Sequence, residues 1–234
     1  MRKYKTAFFC IFLLVLALAF AGCMQLDTEV GIDGEYNAYI THHVQLDLSD
    51  LDFRQRKPVR DSIDQLLEHY SNELGFDVDA PEEQLGPRLY DFTMTKTMPG
   101  GSYGDAFANL QQLLTDESVT PFMAVDLTTA TAEQQQLYSL ETTLDFDKVL
   151  ALSNLADFPP SVQEDIESGF SACSGTVSFQ LPGSQIESAA GTAAVEGHQV
   201  LMQEPMDFAS PTTQKLVTRL NLGGGLPQDR PMED

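Results

Sequence analysis

The chain has 234 residues, with 13 Lys and Arg against 35 Asp and Glu, for a formal charge of −22. So acidic a chain repels phosphate backbones, which excludes nucleic acid as its partner. An apolar content of 42% is enough to build a core and excludes wholesale disorder. Trp is absent and His numbers four, so stacking platforms and metal ligands are scarce.

Residues 1–22 stand apart from the rest. Arg2, Lys3 and Lys5 form a basic head, and the stretch from Ala7 to Ala21 carries no charge and is filled by Phe, Leu, Ile and Val. This is the n-region and h-region of a secretory signal, and the run is short of the roughly 20 apolar residues of a permanent span. It ends Leu18-Ala19-Phe20-Ala21-Gly22-Cys23, which resembles the lipobox of bacterial lipoproteins, with Phe20 where that family usually has Leu. The resemblance implies cleavage between Gly22 and Cys23 and a diacylglyceryl group on the Cys23 thiol. It thereby implies a chain anchored by lipid on the extracytoplasmic face of the cell membrane. One acyl chain binds a bilayer marginally, whereas two hold stably.

Loss of Arg2, Lys3 and Lys5 leaves 10 of the 13 basic residues and all 35 acidic ones. Cys10 departs with the leader and Cys23 is acylated, so Cys173 has no partner for an internal disulfide. The fold must stand on its core alone. Cys173 reads as a small apolar residue, since no His lies near it in sequence to activate a nucleophile.

Met24, Leu26, Thr28, Val30 and Ile32 alternate with polar or small residues, which predicts a strand with one buried face. Asp33-Gly34 then predicts a type I′ hairpin turn. The return strand places Tyr36, Ala38, Ile40, His42, Val44 and Leu46 on one face. His42 and His43 point to opposite sides of it and cannot share a metal. His42 is expected as a satisfied core histidine and His43 as a solvated one.

An amphipathic helix follows over 59–74, with Pro58 at its opening, Gly75 at its close and Val59, Ile63, Leu66, Leu67, Tyr70 and Leu74 on one stripe. Arg54, Arg56, Lys57 and Arg60 cluster at its start, where positive charge opposes the helix dipole. Local ion pairing with Asp61 and Asp64 is the simpler reading. Contact with anionic headgroups or cell-wall polymers is the alternative, at about 1 kcal/mol per basic group.

Residues 76–88 read as an acidic loop with Pro81 and Pro87, and 89–98 as a strand closed by Pro99-Gly100-Gly101. A short helix is predicted over 103–114 with Asp105 as N-cap. Strands are predicted over 122–127 and 137–146, a helix over 149–158 ending at Pro159-Pro160, and a third over 162–169. The chain returns to strands over 175–181, 186–190, 193–195, 198–203 and 215–222, with Glu196-Gly197 as a turn. Residues 223–234 are expected as a disordered tail. The pattern predicts an α+β fold: mostly antiparallel β-sheet with an N-terminal β-hairpin and two or three inserted helices. With no linker and no repeat, 23–222 reads as a single domain.

Two stretches resemble the LppM-domain lipoproteins of Gram-positive bacteria. One runs from Cys23 into Met-Gln-Leu-Asp-Thr-Glu-Val-Gly-Ile-Asp-Gly-Glu-Tyr; the other is Gly175-Thr-Val-Ser-Phe-Gln-Leu-Pro-Gly183, followed by the Glu196-Gly197 turn and a strand. Where that family has an Asn-Gly step and then a strand with Trp, this chain has Ala190-Gly191 and Leu201 or Met202; the C-terminal membrane helix of many members has no counterpart. The resemblance implies a surface lipoprotein that contacts lipid, and it brings no catalytic residues; a strand that starts at Met24 keeps the domain within a few residues of the bilayer, which suits contact with lipid or a membrane-protein partner.

No HExxH, GxSxG, SxxK, CxxC or phosphate-loop pattern is present. Asp47-Leu-Ser-Asp50-Leu-Asp52 lacks the Gly and closing Glu of a calcium loop. The expectation is a non-catalytic, lipid-anchored interaction module without metal or cofactor. The alternative is an extracytoplasmic hydrolase with a pair of converging carboxylates. A two-lobed solute-binding lipoprotein does not suit this order of elements.

Overall fold

The computed structural model describes residues 23–49, 53–80, 89–116, 118–120, 122–132, 135–145, 164, 168, 173–183, 185–189, 192–197, 199–208 and 212–221. The leader with Gly22, the helix expected over 149–158, nearly all of that over 162–169, and the tail 223–234 lie outside these residues.

Period-two alternation builds the first two strands, β1 (Cys23–Ile32) and β2 (Ala38–Asp47), which pair antiparallel from Cys23↔Asp47 to Ile32↔Ala38. Their inner faces are Met24, Leu26, Thr28, Val30, Ile32 and Ala38, Ile40, His42, Val44, Leu46, all buried. The chain continues through α1 (Phe53–Asn72), β3 (Asp77–Asp79), β4 (Leu89–Met98), α2 (Tyr103–Thr115), β5 (Met123–Ala132), β6 (Gln135–Leu144), β7 (Ser174–Pro182), β8 (Gln185–Ala189), β9 (Thr192–Glu196), β10 (Gln199–Pro205) and β11 (Thr212–Asn221). Seven strands form one sheet in the order β3-β4-β2-β1-β7-β10-β9, and four form a second, β5-β6-β11-β8.

Both sheets turn one face to a single core. Phe92, Met94, Val177, Phe179, Leu181, Val200 and Met202 continue the inner face of the large sheet, and Met123, Leu127, Tyr138, Leu140, Leu144 and Leu216 form that of the small one. Between them, α2 buries Ala106, Phe107, Leu110, Leu113 and Leu114 and packs against β1, β2 and β4 on one side and β5 on the other. The Phe107 ring meets that of Tyr138 at 4.5 Å between centroids.

The expected α+β fold on mostly antiparallel sheet is corrected. The described residues are mostly β, with eleven strands and two helices, and the large sheet is mixed because β1 and β7 run parallel from Gln25↔Ser174 to Gly31↔Gln180. Alternation reports which face is buried but is blind to strand direction. Direction follows from the long crossover that returns β7 to the other side of β1. Two glycines permit the close approach: a Cβ on Gly31 would lie 2.5 Å from the Gln180 carbonyl oxygen, and one on Gly175 would lie 1.8 Å from that of Leu26.

Local chemistry corrects four further expectations. The first hairpin is not a two-residue type I′ turn. Asp33 spans a longer loop, its carboxylate accepting from the backbone N–H of Glu35 and Asn37 at 2.8 Å each, and the positive φ (64°) falls on Tyr36 rather than Gly34. The first helix starts at Phe53, so Pro58 lies inside it, where it removes one N–H from the ladder while its fixed φ still suits a helix. Gly75 closes that helix as expected, with φ 71° and Phe76 N–H donating to Tyr70 C=O at 2.9 Å. Part of the expected loop 76–88 is the short strand β3, which pairs with β4. The N-cap of α2 is Ser102, whose Oγ accepts from Asp105 N–H at 3.2 Å while the Asp105 carboxylate accepts from the Ser102 hydroxyl at 2.9 Å. We expect Ser102→Ala to lower stability by about 1 kcal/mol in urea unfolding, and an unchanged midpoint would contradict this cap.

Candidate functional site: the Cys23 end and the polar sheet face

Cys23 is itself the first residue of β1, so no spacer separates it from the sheet. Across the strands it stands on one rung with Asp47 and Leu89, and the next rung is Met24, Leu46 and Tyr90. Met24, Leu46 and Leu48 are buried, so the inner face at this end is filled core.

The first helix returns to the same end. The Arg60 guanidinium carbon lies 5.8 Å from the centroid of the Tyr90 ring, one rung from Cys23. Burial raises the Tyr90 phenol above its ordinary range; the charge of Arg60 opposes this and that of Asp64 adds to it. Arg54 and Arg60 are exposed, and no acidic residue occupies the first turn of α1. Arg56 and Lys57 belong to the same helix by backbone, and their side chains lie outside what is described. Of the sequence-predicted basic residues, Arg60 is thus placed against β4, at a ring that stands one rung along and two strands across from Cys23.

The second feature is the outer face of the large sheet, whose polar groups bond across strands. The Tyr39 hydroxyl donates to Glu29 at 2.6 Å and lies 2.7 Å from Gln180 Oε1; Gln180 in turn donates to Gln199, whose amide donates to the Ile32 carbonyl at 3.1 Å. Burial first, and then the Glu29 carboxylate, push the Tyr39 phenol far above its ordinary range, so it stays protonated. Asp27 accepts from both the backbone N–H and the hydroxyl of Thr176, at 2.9 and 2.7 Å. His43 Nε2 is 2.6 Å from Asp91 Oδ1, and Gln45 donates to the other oxygen of Asp91 at 3.0 Å. His43 is therefore half-buried and paired rather than simply solvated. Alternation placed it on the polar face, but only the β2·β4 pairing, from distant parts of the chain, supplies Asp91.

On this face two carboxylates stand on either side of one histidine. Asp27 on β1 and Asp91 on β4 flank His43 on β2, with His43 Nδ1 3.9 Å from Asp27. The two outer strands lie two sheet spacings apart, about 9–10 Å. The His43 ring fills the place that a water and a scissile bond would need. Asp33, partly desolvated, is still held below its ordinary range by the hydrogen bonds from Asn37 and Glu35, the opposite of what a general acid requires. Among the described residues no group of three or more His, Cys, Asp or Glu converges as a metal site. His42 is the core histidine expected, buried between Thr28 and Val119, and Cys173 is half-buried against the core.

No family model matches the sequence, and no curated protein matches it. Among solved structures, the NMR structure of the folded domain of LppM from Mycobacterium tuberculosis aligns over 85% of this chain and 90% of its own, at 9% identity and a TM-score of 0.37. That neighbour bears the name of the domain family that two stretches of the sequence resemble. A score this low establishes neither a common fold nor membership. Among the described residues no helix is long and apolar enough to cross a membrane.

Proposed function

We propose that the chain is a bacterial lipoprotein of a Gram-positive cell, held on the extracytoplasmic face of the cell membrane by diacylglyceryl-Cys23. Its folded body acts as a non-catalytic interaction module toward a lipid or membrane-protein partner. The observation that carries this reading is the position of Cys23. The residue that ends the lipobox is also the first residue of β1, which lies between β2 and β7 inside the large sheet. Acylation there leaves no tether and holds the sheet against the bilayer. The buried Met24, Leu46 and Leu48 favour recognition by the surface of the module over an acyl chain held inside this end. The alternative of a carboxylate hydrolase gains no support from a sheet face whose carboxylates are bonded to neighbouring strands.

The test is fractionation of cells expressing the Cys23→Ala chain, together with mass spectrometry of the wild-type N-terminus. Wild type is expected in the membrane fraction with a diacylglyceryl mass on Cys23. The Cys23→Ala chain is expected without that mass and with its leader uncleaved. An unmodified Cys23 thiol on a membrane-bound wild-type chain would overturn the proposal.

A further inference from the structure

We infer that the outer edge of β5 pairs antiparallel with the β5 of a second copy of this chain, about a two-fold axis, joining the two small sheets into one. Four strands form sheet edges among the described residues, and three are guarded. β3 has three residues and carries Asp77 and Asp79. β8 and β9 have five each and lie against one another. β5 is different: it has ten residues, no Pro, and Asp126 as its single charge. Short or charged strands deter edge pairing, and a long, nearly uncharged one invites it. Its backbone is set for such pairing. Asp145 N–H donates to Phe122 C=O at 2.8 Å, so the even-numbered residues from 122 onward bond toward β6. Met123 N–H turns instead to Thr120 C=O at 3.1 Å. By alternation, Val125, Leu127, Thr129 and Thr131 aim their N–H and C=O groups away from β6. Both faces are open beside this edge: Thr128 on one, Thr129 on the other, and Ala130 are all exposed.

The occupant is a second copy because β5 complements itself. A register centred on Thr128 sets Leu127 against Thr129 of the second copy and Val125 against its Thr131, so all four outward residues pair and Met123 is left to Thr120. The same register sets Asp126 against Ala130, so the one carboxylate on each strand does not face its equivalent, in a chain of 35 acidic and 13 basic residues. A two-fold pairing is also closed: it consumes both free edges and leaves none to grow a fibre. A strand edge alone is smaller than the roughly 800 Å² per partner of a standard interface, so the dimer is reversible.

The experiment is sedimentation equilibrium of the full chain in a density-matched non-ionic detergent, from about 10 µM to about 1 mM, the span of weak complexes. The protein mass is expected to rise toward twice that of one chain. It should rise further at about 0.5 M salt, where screening weakens the repulsion between two acidic copies. Thr129→Pro removes an N–H that points away from β6, and is expected to hold the mass at one chain with an unchanged urea midpoint. The charge at position 130 tests the register. Ala130→Asp sets a carboxylate against Asp126 of the second copy and should weaken the dimer about threefold or more; Ala130→Lys should tighten it by as much, since each contact occurs twice. Ala130 is exposed, so both variants keep the fold. The mass of one chain at every concentration overturns the inference. So does a dimer whose strength ignores the charge at Ala130, or one that salt dissolves, which would be an ionic contact elsewhere. Masses that grow beyond two chains would show open pairing and overturn the two-fold arrangement.

Discussion

Gly175→Ala is expected to abolish the stable fold. The added methyl would lie 1.8 Å from the carbonyl oxygen of Leu26 and 2.8 Å from its carbonyl carbon. Both are backbone atoms on the second rung of the β1·β7 pairing, so no side chain can swing aside. One strand must move, and β1 is also fixed by its ladder to β2 on the other edge. Gly175 cannot retreat freely either, because its carbonyl accepts from Met206 N–H at 2.9 Å. The cost should exceed about 4 kcal/mol, a large share of the 5–15 kcal/mol that holds a typical domain together. Two other glycines serve as controls in the same urea titration. Gly34 has nothing near its absent Cβ, and Gly34→Ala should stay within about 0.5 kcal/mol of wild type. Gly197 also has open space but a φ of 65°, so its Ala variant should lose roughly 1–2 kcal/mol. A Gly175→Ala chain as stable as the Gly34→Ala chain would mean that β1 and β7 do not pair in this register.

That contrast marks how far the sequence could be read. The two faces of β1 and β2 were legible because burial imposes period two, and every alternate residue from Met24 to Leu46 that was placed inside is inside, apart from the half-buried Tyr36 at the turn. On α1 the period of 3.6 holds where the side chains are described, with Ile63 and Leu66 buried and Leu67 and Tyr70 half-buried against the core. What escaped was whatever depends on a partner from far along the chain. Gly175 could be read as a strand start, but not as the contact that lets β7 lie parallel to β1. The helix start was masked by Pro58, which reads as a boundary although its φ is helical. The turn at Asp33 was misread because Asn37 completes the loop with its own hydrogen bonds and moves the positive φ to Tyr36. At the candidate site, Cys23 and the basic cluster were each visible as local patterns. The contact of Arg60 with Tyr90 was not, because it depends on where the distant strand β4 pairs with β2. His43 shows the same limit: its face was legible and its carboxylates were not.

His42 is expected to make the protein acid-sensitive over a defined window. It is fully enclosed, with the Thr28 hydroxyl 3.0 Å from Nδ1 and the Val119 carbonyl 3.2 Å from Nε2. A carbonyl only accepts, so Nε2 carries the proton and Nδ1 accepts from Thr28; this neutral ring is fully satisfied. Burial drives its pKa down from 6.5 to about 4, against a small opposing effect of the bond to Val119. In the unfolded chain the ring takes up a proton as pH falls through about 6.5, whereas in the folded chain it does so only near 4. Between those values the unfolded state binds more protons, so stability falls with falling pH and levels off below about 4. The full change corresponds to on the order of 3 kcal/mol. Other groups also titrate in this range, so the measurement is a difference: urea unfolding of wild type and His42→Gln at pH 7 and pH 4. At pH 7 the variant should be the less stable, because Thr28 and Val119 lose well-placed partners. At pH 4 that deficit should shrink by roughly 2–3 kcal/mol or reverse, since Gln has no proton to take up. A deficit that is the same at both pH values would show that His42 titrates normally in the fold. The ring would then not be the closed link between β2 and the connection from α2 to β5 that the geometry describes.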